Sequence, residues 1–442
     1  MELKACKFGG TSLADAAQLR RVKAIVEADP GRRWVVVSAP GKRTPSDHKV
    51  TDLFYLCHEN AKRGIGFEEV FSIIAGRFEQ IVAELALNVP IKALLDEIRT
   101  RIKAGESADY CASRGEFLHG HVVAAALGYT YVDPAEMVQF DERGVFLPEH
   151  THRKVGERLR QHERVVVSGF YGARPDGSIK TFSRGGSDIS GAIVASAVEA
   201  DVYENWSDVS GMLMADPRVV KDPKPIRIVT YRELRELAYM GATVLHDEAI
   251  FPVRESGIPV NIRNTNDPAA PGTLIVGDDR APNDQPLSQV TGVAGRKGFT
   301  IIAIEKTLMN SEIGFGRRLL SVLESNRVSF EHMPSGIDTV GVVVSSADLE
   351  DKVDKVVREI KLECRPDQIE VEHGIALIAT VGRGMMHTPG IAAKVMSALS
   401  KASVNIRMID QGSSELNIIV GVREADFEDA VNAIYQAFVP RE

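Results

Sequence analysis

The sequence predicts a two-part protein, in which a large α/β domain with a mostly parallel sheet is followed by two small α+β units. Short β-branched runs alternate with helical stretches up to about residue 275, as is typical of α/β layered domains. A polar, proline-bearing stretch at 277–286 interrupts that pattern. Beyond it the sequence repeats with one offset of 76 residues, as between Ile302 and Ile378. Each copy is typical of a ferredoxin-like βαββα unit.

The composition restricts the class of protein. The chain has 442 residues and a formal net charge of −8, which predicts roughly two to four domains and gives no reason to expect nucleic acid or an acidic membrane surface as a partner. Its four cysteines lack metal or redox spacing and favour reduced thiols over disulfides. No apolar run reaches the roughly 18 residues of a membrane span, and the first residues do not resemble a signal peptide. We therefore expect a cytoplasmic protein.

A cation, two glycines and a hydroxyl follow the first predicted strand, as Lys7, Gly9, Gly10 and Ser12. Adjacent glycines let backbone N–H groups approach an anion, and the helix that follows favours negative charge at its N-terminus. The lysine precedes the glycines, so the motif is not a Walker loop. It fits either a phosphate-binding loop or a simple strand-to-helix turn.

The second predicted strand, at 35–37, ends in another polar cluster that begins at Ser38. Ligands bind at the carboxyl ends of strands in open α/β sheets. A basic loop with Lys42 and Arg43 comes next, and we expect it to be mobile. Thr51 follows this loop, where it fits either a ligand contact or the start of a helix.

The Ser-Arg-Gly-Glu run at 113–116 has two interpretations. Glu116 stands three residues after Ser113, which is the spacing of a helix capping box. A partly buried Glu116 could equally bind a ligand ammonium group. Two nearby histidines, His119 and His121, lie two apart on the predicted helix, so they face different directions and make a poor metal pair.

The Ser-Arg-Gly-Gly-Ser-Asp run at 183–188 is the strongest candidate for a site. A glycine pair flanked by Arg184 and Asp188 predicts an anion nest beside a bidentate donor, which suits a carboxylate or a phosphate. Further along, turn residues at 207–211 and 215–218 predict two loops around a short strand.

Taken in order, these motifs resemble those of the aspartate kinases. They are KFGGTS at 7–12, SRGE at 113–116, SRGGSD at 183–188, SDVSGMLMADPR at 207–218 and GATVLHD at 241–247. The repeated tail resembles the paired ACT domains of that family, so the resemblance covers essentially the whole chain. It implies an amino-acid kinase fold, a three-layer αβα sandwich. The expected divisions are a catalytic domain at 1–280, a linker at 281–296, and ACT domains at 297–368 and 369–442.

The resemblance implies transfer of the γ-phosphoryl group of ATP to the β-carboxylate of L-aspartate. The product, 4-phospho-L-aspartate, feeds lysine, threonine and methionine synthesis, and the length of the chain predicts a monofunctional enzyme without a fused dehydrogenase. A carboxylate with a pKa of about 3.9 is ionised at neutral pH, so it needs positioning and charge shielding more than a general base. We expect Mg²⁺ to bind mainly through the nucleotide phosphates, without a dedicated protein metal site.

The resemblance also assigns roles to the motif residues. Lys7 and Asp188 are the expected catalytic pair, with Lys7 offsetting charge on the transferring group. The expected aspartate-binding residues are Ser38, Thr51, Glu116 and Arg184, and the expected ATP-binding residues are Lys7, Gly9, Gly10, Ser12, Gly186, Ser207, Asp208 and Arg218. Two positions depart from the family pattern, because Leu213 replaces an aromatic residue and Thr243 replaces a lysine expected near ATP.

The first repeat is expected to carry an amino-acid effector site. Its residues are Met309, Ser311, Gly314, Phe315, Glu331, Ser335, Asp338 and Thr339. The resemblance implies that Glu331 binds the side-chain ammonium of L-lysine, which would inhibit alone or together with threonine, across a homodimer or a dimer of dimers. The same residues fit a structural turn and strand edge. For the whole chain, the alternatives are a glutamate-type amino-acid kinase and a non-catalytic amino-acid sensor.

Overall fold

The computed structural model describes residues 1–183, 186–242, 250–280 and 289–439, and they form two compact units. The described parts of the first unit are 1–183, 186–212, 225–231 and 250–280, and those of the second are 213–224, 232–242 and 289–439. Two segments within the range expected to be catalytic therefore group with the second unit. Residues 184, 185, 243–249, 281–288 and 440–442 lie outside the described residues, and they include the predicted site residue Arg184.

The elements follow one another in chain order. The strands are β1 (Lys4–Phe8), β2 (Arg32–Val37), β3 (Thr130–Val132), β4 (Val165–Ser168), β5 (Tyr171–Ala173), β6 (Ile179–Thr181), β7 (Val202–Ser207), β8 (Ile228–Thr230), β9 (Val260–Asn264), β10 (Thr273–Val276), β11 (Gly292–Glu305), β12 (Phe330–His332), β13 (Thr339–Ser345), β14 (Gln368–Val381), β15 (Met408–Asp410) and β16 (Asn417–Arg423). The helices are α1 (Ala16–Glu27), α2 (Val50–Lys62), α3 (Glu68–Glu84), α4 (Ile91–Lys103), α5 (Ala108–Leu127), α6 (Pro148–Leu159), α7 (Gly186–Ala197), α8 (Tyr231–Tyr239), α9 (Phe251–Glu255), α10 (Phe315–Ser325), α11 (Ser346–Leu349), α12 (Val353–Cys364), α13 (Ile391–Lys401) and α14 (Phe427–Phe438).

The first unit is built on an eight-stranded sheet in the order β3-β4-β2-β1-β7-β9-β10-β8. All neighbours are parallel except β9 and β10, so the predicted mostly parallel sheet is confirmed. Helices α1 to α5 share one apolar core with β1 and β2, while α7 packs on β1, β2 and β7 and is flanked by α6 and α9. Helices on both sides of the sheet make the three-layer sandwich, and they leave β1 in the middle with its carboxyl end open to ligands.

Helix α7 is rich in small residues because it lies very close to the sheet. A Cβ atom at Gly191 would stand 2.4 Å from the hydroxyl oxygen of Tyr203 on β7. Only glycine allows this approach, which holds the first turn of α7 near the ends of β1 and β7.

Helix α5 begins earlier than the capping-box interpretation requires. Its N-cap is Ser107, whose side chain accepts a hydrogen bond from the Tyr110 N–H group. Ser113 is therefore inside the helix, where its hydroxyl donates to the Tyr110 carbonyl oxygen at 2.7 Å. The capping-box interpretation of Glu116 was wrong, because sequence spacing alone does not locate the first helical turn.

The second unit contains a six-stranded antiparallel sheet in the order β12-β13-β11-β14-β16-β15. The predicted strand, helix, strand, strand, helix order is present in both repeats, and each sheet half gains one further strand. Strands β11 and β14 pair along their whole length, from Gly292 opposite Val381 to Glu305 opposite Gln368. The start of β11 completes the second half and the start of β14 completes the first. Strand β11 begins at Gly292, inside the expected linker at 281–296.

All four cysteines are free and buried, in agreement with reduced thiols. Within the described ranges, we find no helix whose length and apolar character would allow it to cross a membrane.

Candidate active site and effector site

A buried Lys7 and a half-buried Asp188 form an ion pair at the carboxyl end of β1. Lys7 is 7% exposed, and its Nζ lies 2.6 Å from Oδ1 of Asp188 in the first turn of α7. Asn205 on β7, directly beside Lys7 in the sheet register, donates from Nδ2 to the same oxygen at 2.8 Å. Two donors on one carboxylate oxygen hold the pair in a fixed geometry. The sequence predicted Lys7 and Asp188 but missed Asn205.

The two glycines after β1 pack directly against backbone. The N–H group of Gly9 donates to the carbonyl oxygen of Trp206 at 3.0 Å. A Cβ atom at Gly10 would lie 2.9 Å from the carbonyl oxygen of Ala39, and the Gly41 N–H group donates to the Gly10 carbonyl at 2.8 Å. The turn is thus held between the ends of β2 and β7 and stands next to the Lys7 ammonium group.

Ser12 and Ser207 are joined through a residue that the sequence did not predict. The Thr265 hydroxyl donates to the buried Ser12 Oγ at 2.7 Å, and the Thr265 N–H group donates to the Ser207 carbonyl at 2.8 Å. Asp208, the next residue, is exposed. Three of the expected ATP-binding residues, Ser12, Ser207 and Asp208, therefore lie near the carboxyl ends of β1 and β7.

Ser38 is fixed from both sides at the end of β2. Its Oγ lies 2.5 Å from the Oγ of Ser187 in α7, and its carbonyl oxygen lies 2.9 Å from Nδ1 of His119 in α5. Burial lowers the pKa of His119 to about 4, so the ring is neutral at pH 7 and donates from Nδ1. Its Nε2 has no hydrogen-bond partner among the described residues. His119 therefore supports a backbone carbonyl, a role that the sequence did not indicate.

The Glu116 side chain carries a buried carboxyl group. Within the described part of the chain, Oε2 has no hydrogen-bond partner. Burial raises the pKa of Glu116 to about 8, against the opposing effects of a backbone hydrogen bond at Ala39 and the charge of Arg114. A strongly perturbed acid beside a strand end is typical of a functional site. Thr51 lies half-buried in the first turn of α2, the helix that packs against α5.

The remaining predicted residues do not all join this geometry. Arg184 lies outside the described residues, as does position 243. Gly186 is the first residue of α7 and has a φ of +43°. Arg218 belongs to the second unit, where its side chain is 85% exposed and pairs with Asp216 at 2.5 Å.

Comparison with known proteins identifies the family. Residues 2–264 match the amino acid kinase family and residues 378–438 match an ACT domain. Aspartokinase 3 of Bacillus subtilis (strain 168) is 41% identical over 454 aligned positions, which cover 99% of this chain and 98% of that protein. The chain belongs to the aspartokinases of the amino acid kinase family. The sequence-based prediction of an aspartate kinase is confirmed.

Solved aspartokinase structures agree with this assignment. The crystal structure of Clostridium acetobutylicum aspartate kinase matches with a TM-score of 0.91 and 52% identity, covering 99% of this chain and all of that one. E. coli aspartokinase III matches at 26% identity in two complexes. Its complex with aspartate and ADP has a TM-score of 0.71 and covers 99% of both chains. Its complex with lysine and aspartate has a TM-score of 0.73 and covers 99% of this chain and 100% of the other.

In the second unit of this aspartokinase, the expected effector residues fall on two neighbouring loops. The loops are 306–315 and 333–339, and they carry Met309, Ser311, Gly314, Phe315, Ser335, Asp338 and Thr339. The Leu308 N–H group donates to Oδ1 of Asp338 at 2.8 Å, and the Asn310 N–H group donates to the Ile337 carbonyl at 3.1 Å. We call this pair of segments the effector loops.

Glu331 lies two residues before the second effector loop, at the opposite end of β13 from Thr339. Its strand, β12, pairs with the far end of β13, where Phe330 faces Val344, so Glu331 is roughly 15 Å along the sheet from Thr339 at about 3.3 Å per residue. The Glu331 carboxylate accepts a hydrogen bond from the Tyr239 hydroxyl and lies 3.9 Å from the Arg296 guanidinium. The structure thus gives Glu331 partners of its own.

Large apolar side chains on the effector loops face solvent. Leu308 is 67% exposed, Ile337 is 69% exposed and Ile313 is 97% exposed. These three exposed apolar side chains lie on two loops that are joined by hydrogen bonds, and exposed apolar groups in one region are typical of an interaction surface.

Proposed function

We propose that this aspartokinase transfers the γ-phosphoryl group of ATP to the β-carboxylate of L-aspartate at the Lys7–Asp188 pair. The product is 4-phospho-L-aspartate, the first intermediate of lysine, threonine and methionine synthesis. The observation that carries the proposal is the buried Lys7 ammonium group, held 2.6 Å from Asp188 beside the Gly9-Gly10 turn. The similar E. coli enzyme crystallised with aspartate and ADP supports it.

The chemistry needs charge placement rather than proton removal. An oxygen of the ionised β-carboxylate forms a bond to the γ-phosphorus while the bond from that phosphorus to the β,γ-bridging oxygen breaks, and ADP leaves with the electron pair. Negative charge is spread over the phosphoryl oxygens in the transition state. The Lys7 ammonium offsets that charge, and Asp188 and Asn205 keep the ammonium aimed in a low-dielectric setting.

The two substrates are expected on either side of Lys7. For aspartate, we propose that the Glu116 carboxylate accepts a hydrogen bond from the α-ammonium group. Arg184 binds the α-carboxylate, and Ser38 and Thr51 assist. For ATP, we propose contacts from Gly9, Gly10, Ser12, Gly186, Ser207, Asp208 and Arg218. The unpartnered Oε2 of Glu116 and the glycine turn at β1 support this division.

We propose that Mg²⁺ enters with the nucleotide. Among the described residues, no three His, Cys, Asp or Glu side chains are grouped as a metal site. In the part of the chain that the structure describes, the two side-chain contacts of Asp188 both fall on Oδ1, and we propose that Oδ2 faces water molecules around a phosphate-bound ion, as magnesium prefers. The ion would neutralise charge on the phosphate oxygens.

Regulation is proposed to use the effector loops. We propose that L-lysine, alone or with threonine, inhibits through these loops in a homodimer or a dimer of dimers located in the cytoplasm. Support comes from the E. coli neighbour crystallised with lysine and aspartate and from the exposed apolar side chains on the loops. If lysine and threonine, separately and together, change neither the melting temperature nor the aspartate-dependent rate, the proposal is wrong.

A coupled assay tests the reaction itself. Purified protein is incubated with ATP, Mg²⁺ and L-aspartate in hydroxylamine, which traps the acyl phosphate as aspartyl hydroxamate. The expected result is hydroxamate from aspartate and none from glutamate or N-acetylglutamate. Absence of aspartyl hydroxamate from folded protein would favour the amino-acid sensor, and glutamyl hydroxamate would favour the glutamate-type kinase.

A further inference from the structure

We propose that Arg77 is a positioning residue for phosphoryl transfer, which acts by fixing the loop 39–49 against the Gly9-Gly10 turn. The proposal rests on the proposed role of that turn in binding the nucleotide. The sequence predicted this loop, which carries Lys42 and Arg43, to be mobile. The structure places a buried guanidinium group in contact with it.

The Arg77 side chain contacts the loop at three points. It is 4% exposed on α3. Its guanidinium donates to the carbonyl oxygen of His48 at 3.0 Å and to that of Gly41, and it lies 3.1 Å from Oδ2 of Asp47. The same Asp47 oxygen accepts from the backbone N–H group of Arg43 at 3.0 Å. One side chain therefore ties the beginning of the loop to its end.

The loop in turn contacts the phosphate turn through backbone alone. The Gly41 N–H group donates to the Gly10 carbonyl oxygen at 2.8 Å. A Cβ atom at Gly41 would stand 2.4 Å from the carbonyl carbon of Gly10 and 2.6 Å from the Thr11 nitrogen. Because no side chain separates the two segments, Gly41 cannot shift toward the turn without moving Gly10, and a shift away breaks their hydrogen bond.

The three acceptors require an arginine. They lie on different residues: Nη2 reaches the Gly41 carbonyl oxygen and Asp47, while Nη1 reaches the His48 carbonyl oxygen. A lysine with its single nitrogen cannot reproduce all three contacts. Burial lowers the pKa of Arg77, but a guanidinium remains charged at neutral pH. Removal of this side chain would leave two carbonyl groups without their donor and would weaken the hold on Asp47.

The experiment compares Arg77→Met and Arg77→Lys with Ile74→Val. Ile74 is fully buried one turn earlier on α3 and makes no hydrogen bond to the loop, so its variant controls for lost helix packing. Trypsin cleavage after Lys42 and Arg43 reports release of the loop, and the hydroxamate assay reports kcat and KM. We expect Arg77→Met to be cleaved about tenfold faster at these two bonds, because local opening becomes easier.

The kinetic effect should be the one expected when the Gly9-Gly10 turn is displaced. For Arg77→Met we expect kcat to fall about 100-fold, as for a small misplacement of reacting groups, with KM for aspartate changed less than about threefold. Arg77→Lys should lie between this variant and wild type in both readouts. Ile74→Val should lower the melting temperature while cleavage and kcat stay as in wild type.

Either of two other outcomes would overturn the proposal. Unchanged cleavage in Arg77→Met means that the arginine does not hold the loop, and faster cleavage with unchanged kcat means that the loop does not control the turn. If Arg77→Met does not fold, Asp47→Asn replaces it, with smaller changes in the same directions. Lys7→Met is assayed in parallel, because full activity in that variant would refute the proposed function while cleavage would still report on Arg77.

Discussion

The catalytic and regulatory units present their ligand-facing groups in opposite ways. In the first unit, Lys7 and Glu116 are at most 7% exposed and are held by neighbouring strands and helices. In the second, the effector loops carry exposed apolar side chains, including Ile313 at 97%. Fixed, buried charges reduce reorganisation during the reaction, whereas exposed loops can change their population with a ligand or a partner. We infer that catalysis is prepared within one chain and that regulation needs a second surface.

The largest effect is expected where the catalytic unit is most rigid. Lys7→Met should lower kcat roughly 100- to 1,000-fold, since its charge matters most in the transition state, while KM for aspartate changes little. Hydroxamate kinetics provide the measurement. Lys4→Met is the matched control on the same strand, where Lys4 pairs with Asp29 at 2.8 Å and should tolerate the change. Equal losses in kcat and in aspartate binding would make Lys7 a ground-state contact only.

The next prediction concerns aspartate binding at Glu116. Glu116→Gln should raise KM for aspartate about 10- to 100-fold, because a charge-assisted hydrogen bond to the ammonium is lost. In wild type, affinity should increase as pH rises toward 8, since the ammonium needs the ionised carboxylate, and Glu116→Gln should lose this trend. Calorimetric titration between pH 6.5 and 8.5 measures it. A variant that keeps both the affinity and the trend would exclude Glu116 as the ligand.

The same carboxyl group predicts a pH-dependent stability. Burial raises its pKa to about 8 in the folded protein, above the ordinary value of 4.5. The folded state therefore retains a proton that the unfolded chain releases. The contribution of this group to the free energy of unfolding is complete below pH 4.5 and is lost as pH rises through 8. The melting temperature of Glu116→Gln should exceed that of wild type at pH 8.5 but not at pH 4.5. The melting temperature of Glu97→Gln, a variant on the surface of α4, should exceed that of wild type at neither pH.

A smaller effect should follow from disrupting the exposed effector loops. Ile313→Asp should shift a dimer toward monomer in sedimentation experiments and raise the half-inhibitory lysine concentration about tenfold, within the usual range of allosteric coupling. The rate without lysine should not change. Ile65→Asp, at a position 54% exposed in the first unit, is the control. If Ile313→Asp remains dimeric and fully sensitive to lysine, the loops are not the second surface.

The smallest expected effect concerns the partner of Glu331. If Glu331 binds the effector ammonium, as the family resemblance implies, Tyr239→Phe removes the hydroxyl that competes for this carboxylate. The half-inhibitory lysine concentration should fall about fivefold, as for a loss of about 1 kcal/mol, with kcat unchanged. Inhibition curves for this variant and for Tyr129→Phe make the comparison. A rise in place of the fall would mean that Tyr239 helps to bind the effector.

The sequence predicted which residues lie together at the ends of β1 and β2 because the carboxyl ends of parallel strands meet at one edge of the sheet. Lys7 and Ser38 each stand where a strand ends, and Asp188 stands where a helix begins, so the parallel sheet alone brings them together. Asn205 and Arg77 were missed for a physical reason. Asn205 meets Lys7 only because β7 pairs with β1, and Arg77 meets Gly41 only through the packing of α3. Neither contact is local, so neither leaves a periodic signal.

The regulatory unit shows the limit of a repeat as evidence. The 76-residue offset predicted two copies in succession, and both copies are present in the sheet. The offset could not show which copy uses the ends of β11 and β14, because strand partners are chosen by pairing across the sheet. The bulge between Arg296 and Phe299, with Gly298 at a φ of +93°, marks where β11 passes from one half to the other.

This exchange of strands limits how the gene can be cut or recombined. A fragment of residues 297–368 would contain only the first residue of β14, and a fragment starting at 369 would lack the segment 292–296 of β11. Each would expose an unpaired strand edge, which promotes aggregation. The two repeats can therefore be expressed, or transferred between proteins by recombination, only as one block that begins before Gly292 and continues through α14.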